Sequence, residues 1–323
     1  MSGTVEVTRS WTTPRPLQLS AVLVAFRRGA KDPTYRAGAD GSVVRGIRTP
    51  DGPASLLLRV RTADSTVSAQ AWGPGAQWAV EYAPDLIGEH DDSTGFVAHH
   101  RVVAAAARRF AGWRVPCSRL VLDALVPAVI EQRVTGAEAF GAQRRLMHRY
   151  GDRAPGPWGS AGLVVAPDAQ RWQAIPSWEW LRAGVDGARS ATVQRVCRSA
   201  DAVQRLAHPT LDNSARATVV EPASDARSRL QAIQGVGAWT AAEVAQRALG
   251  DADAVSFGDY HVARSIGWVL AGVELDDDGL AELLEPYAGH RFRVQRLLEL
   301  AGLGHPRRGP RMPVPTHVPT RVK

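Results

Sequence analysis

Apolar positions in the first third of the chain alternate or run in short blocks closed by turn residues. Ala54–Thr62 and Thr66–Trp72 read as strands, and Gly73-Pro74-Gly75 is a strong turn. Leu19–Phe26 suits a helix or a strand, and its period alone does not decide between them. From His99 onward the apolar spacing is helical. Val102–Phe110 is an alanine-rich helix whose last turn carries Arg108 and Arg109, charges that suit the negative end of the helix dipole. Ser118 is placed to cap a helix running to about Val134, with Pro127 as a kink. Ala137–Tyr150 follows, stopped by Gly151, and 151–173 reads as loop. Ser177–Ala183 and Gly187–Ala207 are helical. Asp225 caps Ala226–Ile233, and the turn Gln234-Gly-Val-Gly237 leads into Ala238–Leu249, ended by Gly250. Beyond a loop at 251–258, helices are expected from Tyr260 to about Leu270, near Asp278–Glu285 and over Arg291–Leu303. The tail is rich in Pro and Arg without apolar period, and is expected to be disordered. The pattern predicts an α+β chain. A mixed N-terminal domain with an antiparallel sheet spans 1–96, a helical domain 97–306 and a basic tail 307–323.

Composition narrows the chemistry. The 323 residues are 45% hydrophobic and 22% charged, as in a water-soluble globular protein with a core of its own. No apolar run approaches the roughly 18–20 residues that span a bilayer, and the N-terminus lacks a secretory pattern, so a cytoplasmic protein is expected. Cys117 and Cys197 are the only cysteines, and neither sits in a CxxC pair, so thiolates cannot build a zinc or iron–sulfur site. A formal net charge of +7 fits an anionic partner such as nucleic acid. Lys31 and Lys323 are the only lysines, which leaves almost nothing for a mechanism needing an amine nucleophile.

The segment 233–240 links two helices through Gly235-Val-Gly237. Its glycines permit positive φ, and the amides opening the second helix can hold an anion such as one DNA phosphate. Alone, G-x-G between helices is as consistent with a plain turn. The stretch Leu230–Ala245 followed by Asp253-Ala-Val-Ser-Phe-Gly-Asp259-Tyr-His-Val262 is more specific. It resembles the helix-hairpin-helix-Gly/Pro-Asp family of DNA glycosylases: a hairpin with a G-x-G turn, a second helix, a Gly-containing loop, then an aspartate opening a helix. Trp239 and Asp259 stand twenty positions apart, as the family spacing requires. The nearest branch is the AlkA-type 3-methyladenine glycosylases, with further likeness at Ala128–Thr135 and Pro286–Arg293.

The resemblance implies a monofunctional enzyme of base excision repair. It would hydrolyse the N-glycosidic bond of a flipped-out alkylated purine in double-stranded DNA, as a nucleoid-associated monomer. Asp259 is the implied catalytic carboxylate, and as an N-cap of the next helix it would serve both roles. Trp239 occupies the position of the lyase branch's lysine, so no β-elimination is expected. Trp239, Glu243, Tyr260, His261 and His290 are the implied base pocket, with Glu243 and His290 standing where the family has aromatics. For DNA, the implied contacts are Gly235, Val236, Gly237, Ala238 and Thr240 at the hairpin (226–249), Gln132 and Arg133 where relatives place a wedge, and Arg291, for which a surface ion pair is the alternative. No cofactor is required. The resemblance adds a Na+ or K+ held by the carbonyls of Gln231, Ile233 and Val236. Trp178 and Trp180 are expected to pack between helices. Two rival readings remain: a non-catalytic helix-hairpin-helix protein that binds damaged DNA, and a glycosylase for oxidised or deaminated bases.

Overall fold

The computed structural model describes residues 5–207 and 223–306. The first third forms a five-stranded antiparallel sheet of β1 (Glu6–Thr12), β2 (Tyr35–Ala37), β3 (Val43–Thr49), β4 (Gly52–Arg61) and β5 (Thr66–Trp72), in the order β1-β5-β4-β3-β2. Thr49 opposes Gly52 across the Pro50-Asp51 turn, and Arg61 opposes Thr66, so tight turns fix both central registers. Ala54 to Leu58 are all buried because β4 is covered on both faces. Ala54, Leu56 and Leu58 join the main core, while Leu57 packs with Val44, Trp72, Leu163 and Val165. Leu19–Phe26 is helical. Its buried residues Leu19, Val22, Leu23 and Phe26 follow the i, i+3, i+4, i+7 stripe.

The helices gather into two clusters. One packs Val121–Ile130 against Gly136–Tyr150, Gly187–Arg198 and the helix beginning at Ala238, with Trp172 and Trp180 stacked at 5.7 Å in its interior. The other gathers Val255, Ile266, Leu280, Tyr287, Val294 and Leu298 around Val103. Phe292 and Leu297 of the helix Arg291–Leu300 instead join the core of the sheet, tying the last helix to the first third of the chain.

Several expected boundaries shift for local reasons. The helix containing Pro127 ends at Ile130 rather than Val134, and Arg133 follows with φ +57°. The next helix starts at Gly136, because Thr135 and Glu138 close a reciprocal capping box. The segment 151–173 is not all loop. Asp152–Arg153 pairs with Val164–Val165, and Asp168 caps a helix over Ala169–Ala174. The helix from Gly187 stops at Arg198 and restarts at Ala200. Of the two tryptophans expected in packing, Trp180 is buried and Trp178 is 67% exposed. Burial raises the Cys117 thiol to about 11 and the Cys197 thiol to about 12, which keeps both protonated at neutral pH. The expected disorder of the tail falls mostly outside the described residues.

Candidate active site

The hairpin is built by Ala223–Gln231, the turn 232–237 and Ala238–Val244. Gly235 has φ +94°, and a Cβ there would lie 2.3 Å from Thr192 Oγ1, so the turn accepts only glycine. Its carbonyl accepts from Gln132 Nε2 at 2.9 Å, and the same amide donates to Thr240 Oγ1 at 2.7 Å. Arg195 donates to the Gln234 carbonyl at 2.6 Å. The turn is therefore clamped from outside. Gly237, the N-cap residue, is exposed and meets nothing within 4 Å. The first helical bond runs from Ala241 N–H to Gly237 O, which leaves the amides of Ala238, Trp239 and Thr240 without an intrahelical acceptor.

One of the expected hairpin contacts, Val236, needs correction. Val236 is 4% exposed, and its amide already donates to Ile233 O. The Thr240 side chain is buried against Gln132, so only its amide remains for an anion. Of the three carbonyls expected around a monovalent cation, that of Ile233 takes part in this turn bond and keeps a second lone pair.

After Leu249 and Gly250 the chain returns through Asp251–Gly258 to Asp259. The Asp259 side chain accepts at Oδ1 from the amides of His261 (2.8 Å) and Val262 (3.2 Å), the start of the helix Val262–Ala271. Its Oδ2 accepts from Trp239 Nε1 at 3.2 Å. All three neighbours are donors, which suits a carboxylate that can only accept. The helix starts at Val262 rather than Tyr260, with His261 as its N-cap residue, so Asp259 braces the turn before the helix instead of capping it. Trp239 reaches the site as a hydrogen-bond donor that fixes this carboxylate to the hairpin, not as part of the cleft wall.

Asp259 lines a cleft of about 700 Å³. One wall comes from the hairpin helix (Glu243, Gln246, Arg247), the other from Val262–Ile266 and from Phe292–Glu299. The cleft thus lies between the two helical clusters, in the volume range of small-ligand sites. The hairpin helix widens into a π-turn over Ala245–Leu249, the stretch that carries Gln246 and Arg247.

The floor is polar and bonded throughout. Ser256 Oγ donates to Glu243 Oε1 at 2.7 Å and accepts from Gln246 Nε2 at 2.8 Å. Gln295 accepts from the Ser256 amide at 3.2 Å and donates to Glu299 at 2.9 Å. Arg247 donates to Glu243 Oε2 at 2.8 Å. Burial pushes the Glu243 carboxyl upward, but Arg247, the Ser256 hydroxyl and Arg28 outweigh it and hold it below the usual carboxylate range.

The remaining expected residues divide. His261 lines the cleft. Tyr260 is 69% exposed with its ring under the Arg264 guanidinium at 4.5 Å, and does not line it. His290 is a correction: its ring packs on Phe96 at 5.6 Å, and its Nε2 lies 3.2 Å from Thr94 O. Arg291 is another. It forms a forked pair with Asp253, at 2.8 and 2.6 Å, so its charge is already matched by that carboxylate. Arg133 is exposed and has no hydrogen bond or ion pair among the described residues, beside a Gln132 that is fixed to the hairpin. Sequence reasoning missed Gln246, Ser256, Gln295 and Glu299. The available signal was polar residues within otherwise apolar helix faces, as with Gln295 amid Val294, Leu297 and Leu298.

No family model and no curated protein matches the chain. Solved structures do. A 3-methyladenine DNA-glycosylase from Archaeoglobus fulgidus superposes with a TM-score of 0.70 at 14% identity, covering 91% of this chain and 98% of that one. MBOgg1 in complex with a low affinity DNA ligand gives 0.67 at 12% identity, with 93% and 98% covered. The 8-oxoguanine glycosylase/lyase of Clostridium acetobutylicum gives 0.65 at 8% identity, with 92% and 98% covered. The chain has the α+β fold of these proteins along nearly its whole length.

Proposed function

We propose that this chain is a monofunctional DNA glycosylase of base excision repair that uses Asp259 to hydrolyse the N-glycosidic bond of a flipped-out damaged base. The observation that carries this reading is the placement of Asp259. Its carboxylate lines a cleft with room for a flipped nucleotide and is tied through the Trp239 indole to a hairpin with open amides. A phosphate held at the amides of Ala238 to Thr240 would set the sugar of a nearby nucleotide against that carboxylate. As the C1′–N bond lengthens, positive charge develops on the sugar, and Asp259 stabilises it through space. Water then adds at C1′, its proton passes to the carboxylate or the departing base, and an abasic site remains.

The described residues offer the cleft no lysine for a Schiff base, and Lys323 lies outside them. Position 239 is tryptophan, and Lys31 is exposed and away from the cleft walls. Borohydride treatment of a reaction with duplex DNA is therefore expected to trap no covalent adduct, and a trapped adduct would refute the monofunctional assignment. A monovalent cation at the carbonyls of Gln231, Ile233 and Val236 would add positive charge at the hairpin, but no chemical step depends on it.

For the base itself, an alkylated purine is the first reading, since a cationic leaving group departs without a general acid. Glu243 does not serve as its counter-charge, because the ion pair with Arg247 already neutralises it. A second reading is a neutral oxidised or deaminated base, favoured by a cleft whose floor is polar rather than aromatic. Duplexes carrying one defined lesion each, scored for abasic sites, separate the two. Absence of release from every lesion would leave only a DNA-binding protein.

Arg133 offers a further check. Its left-handed backbone suits glycine, so Arg133→Gly removes the side chain without straining the turn. Melting temperature is expected to stay nearly unchanged while single-turnover base release falls by about tenfold, as for loss of a gap-filling or phosphate-binding group. Unchanged release would assign Arg133 to the solvated surface.

A further inference from the structure

A second cavity of about 50 Å³ lies where the sheet meets the helical layer, and Asp259 does not line it. Its walls bring together Arg28, Arg45, Arg144 and Arg247 with only two carboxylates, Asp32 and Asp123. Two of the arginines are committed. Arg28 pairs with Glu131 at 3.0 Å and Arg247 with Glu243 at 2.8 Å. Asp32 is also spent: it accepts from the Arg28 amide at 2.6 Å, and from the amide and hydroxyl of Thr34 at 2.8 Å each. Asp123 accepts from the Arg48 amide at 3.4 Å, and burial pushes its carboxyl upward despite Arg45 and Arg48.

Arg45 and Arg144 have no ion pair among the described residues. Arg45 is 8% exposed, its guanidinium lies 4.1 Å from the centroid of the Phe26 ring, and its NH1 has no acceptor. A buried guanidinium N–H without a partner is costly, and arginine cannot escape the cost by losing its proton. We propose that this cavity is a binding site for one small monovalent anion of halide size, held by Arg45 and Arg144 between the sheet and the helices. The volume supports that size class. A single water needs roughly 10–15 Å³ of such space, so the cavity has room for a halide together with a water or two and excludes a nucleotide. Arg247 lines both this cavity and the cleft, and its Nε is anchored to Ala25 O at 2.9 Å. A bound anion would therefore steady the arginine that neutralises Glu243. The site stands independently of the glycosylase reading.

The test uses the intact protein without DNA. Melting is followed as chloride replaces gluconate at constant ionic strength. Chloride is expected to give a saturable rise of about 2–4 °C, lost in Arg45→Met and in Arg144→Gln. Equal melting in the two salts, or an undiminished chloride response in Arg144→Gln, overturns the proposal. Should Arg45→Met fail to fold, crystals soaked in bromide decide. An anomalous peak beside Arg45 and Arg144 supports the site, and a cavity holding only water overturns it.

Discussion

Asp259→Asn is expected to lower single-turnover base release by at least about 10²–10³-fold, the cost of removing a charge-stabilising group from a reaction centre. Duplex affinity should change by about twofold or less, since the hairpin amides that would hold phosphate are untouched. The amide oxygen can still accept from His261 and Val262, preserving the start of the following helix. Its NH2 then faces the Trp239 indole N–H, donor against donor, where the carboxylate accepted. The site being half-exposed, water can relieve that conflict, and melting measured alongside separates a chemical loss from a folding loss. Wild-type release by a folded Asp259→Asn protein would end the catalytic assignment.

The hairpin and Asp259 were legible through the family resemblance, which rests on residues that backbone geometry favours. A left-handed turn demands glycine, and an aspartate just before a helix can accept from its first amides. The run of apolar residues in β4 was legible for a similar reason, since burial on both faces removes the need for alternation. What the sequence did not reveal depends on partners distant along the chain. Arg291 looks like a free basic residue until Asp253, thirty-eight positions earlier, is placed against it. His290 belongs to Thr94 and Phe96, nearly two hundred positions away. The Trp239 indole was visible as an aromatic surface, but its bond to Asp259 exists only once the loop 251–258 folds back. The polar cleft floor was hidden in the same way, because Gln246, Ser256 and Gln295 come from three separate elements.

The two hairpin glycines should separate when each is replaced, because they are glycine for different reasons. Gly235→Ala places a Cβ at φ +94° and 2.3 Å from Thr192 Oγ1, whose own hydroxyl is bound to Ala188 O. The backbone alone costs about 1–3 kcal/mol, and the buried contact adds to it, so this variant is expected to melt measurably lower. Gly237 has φ −92° and open space around it, so nothing within the folded chain forbids a side chain there. Serine is in fact the better N-cap, and Gly237→Ser should melt at or slightly above the wild-type temperature. Its hydroxyl would bond the first-turn amides itself and stand where a phosphate has to approach. Loss of one charge-assisted contact of that kind corresponds to about tenfold or more in duplex affinity. A stable Gly237→Ser protein that binds duplex DNA as tightly as wild type would show that the phosphate is held elsewhere. Asp259 would then have no nucleotide delivered to it by the hairpin.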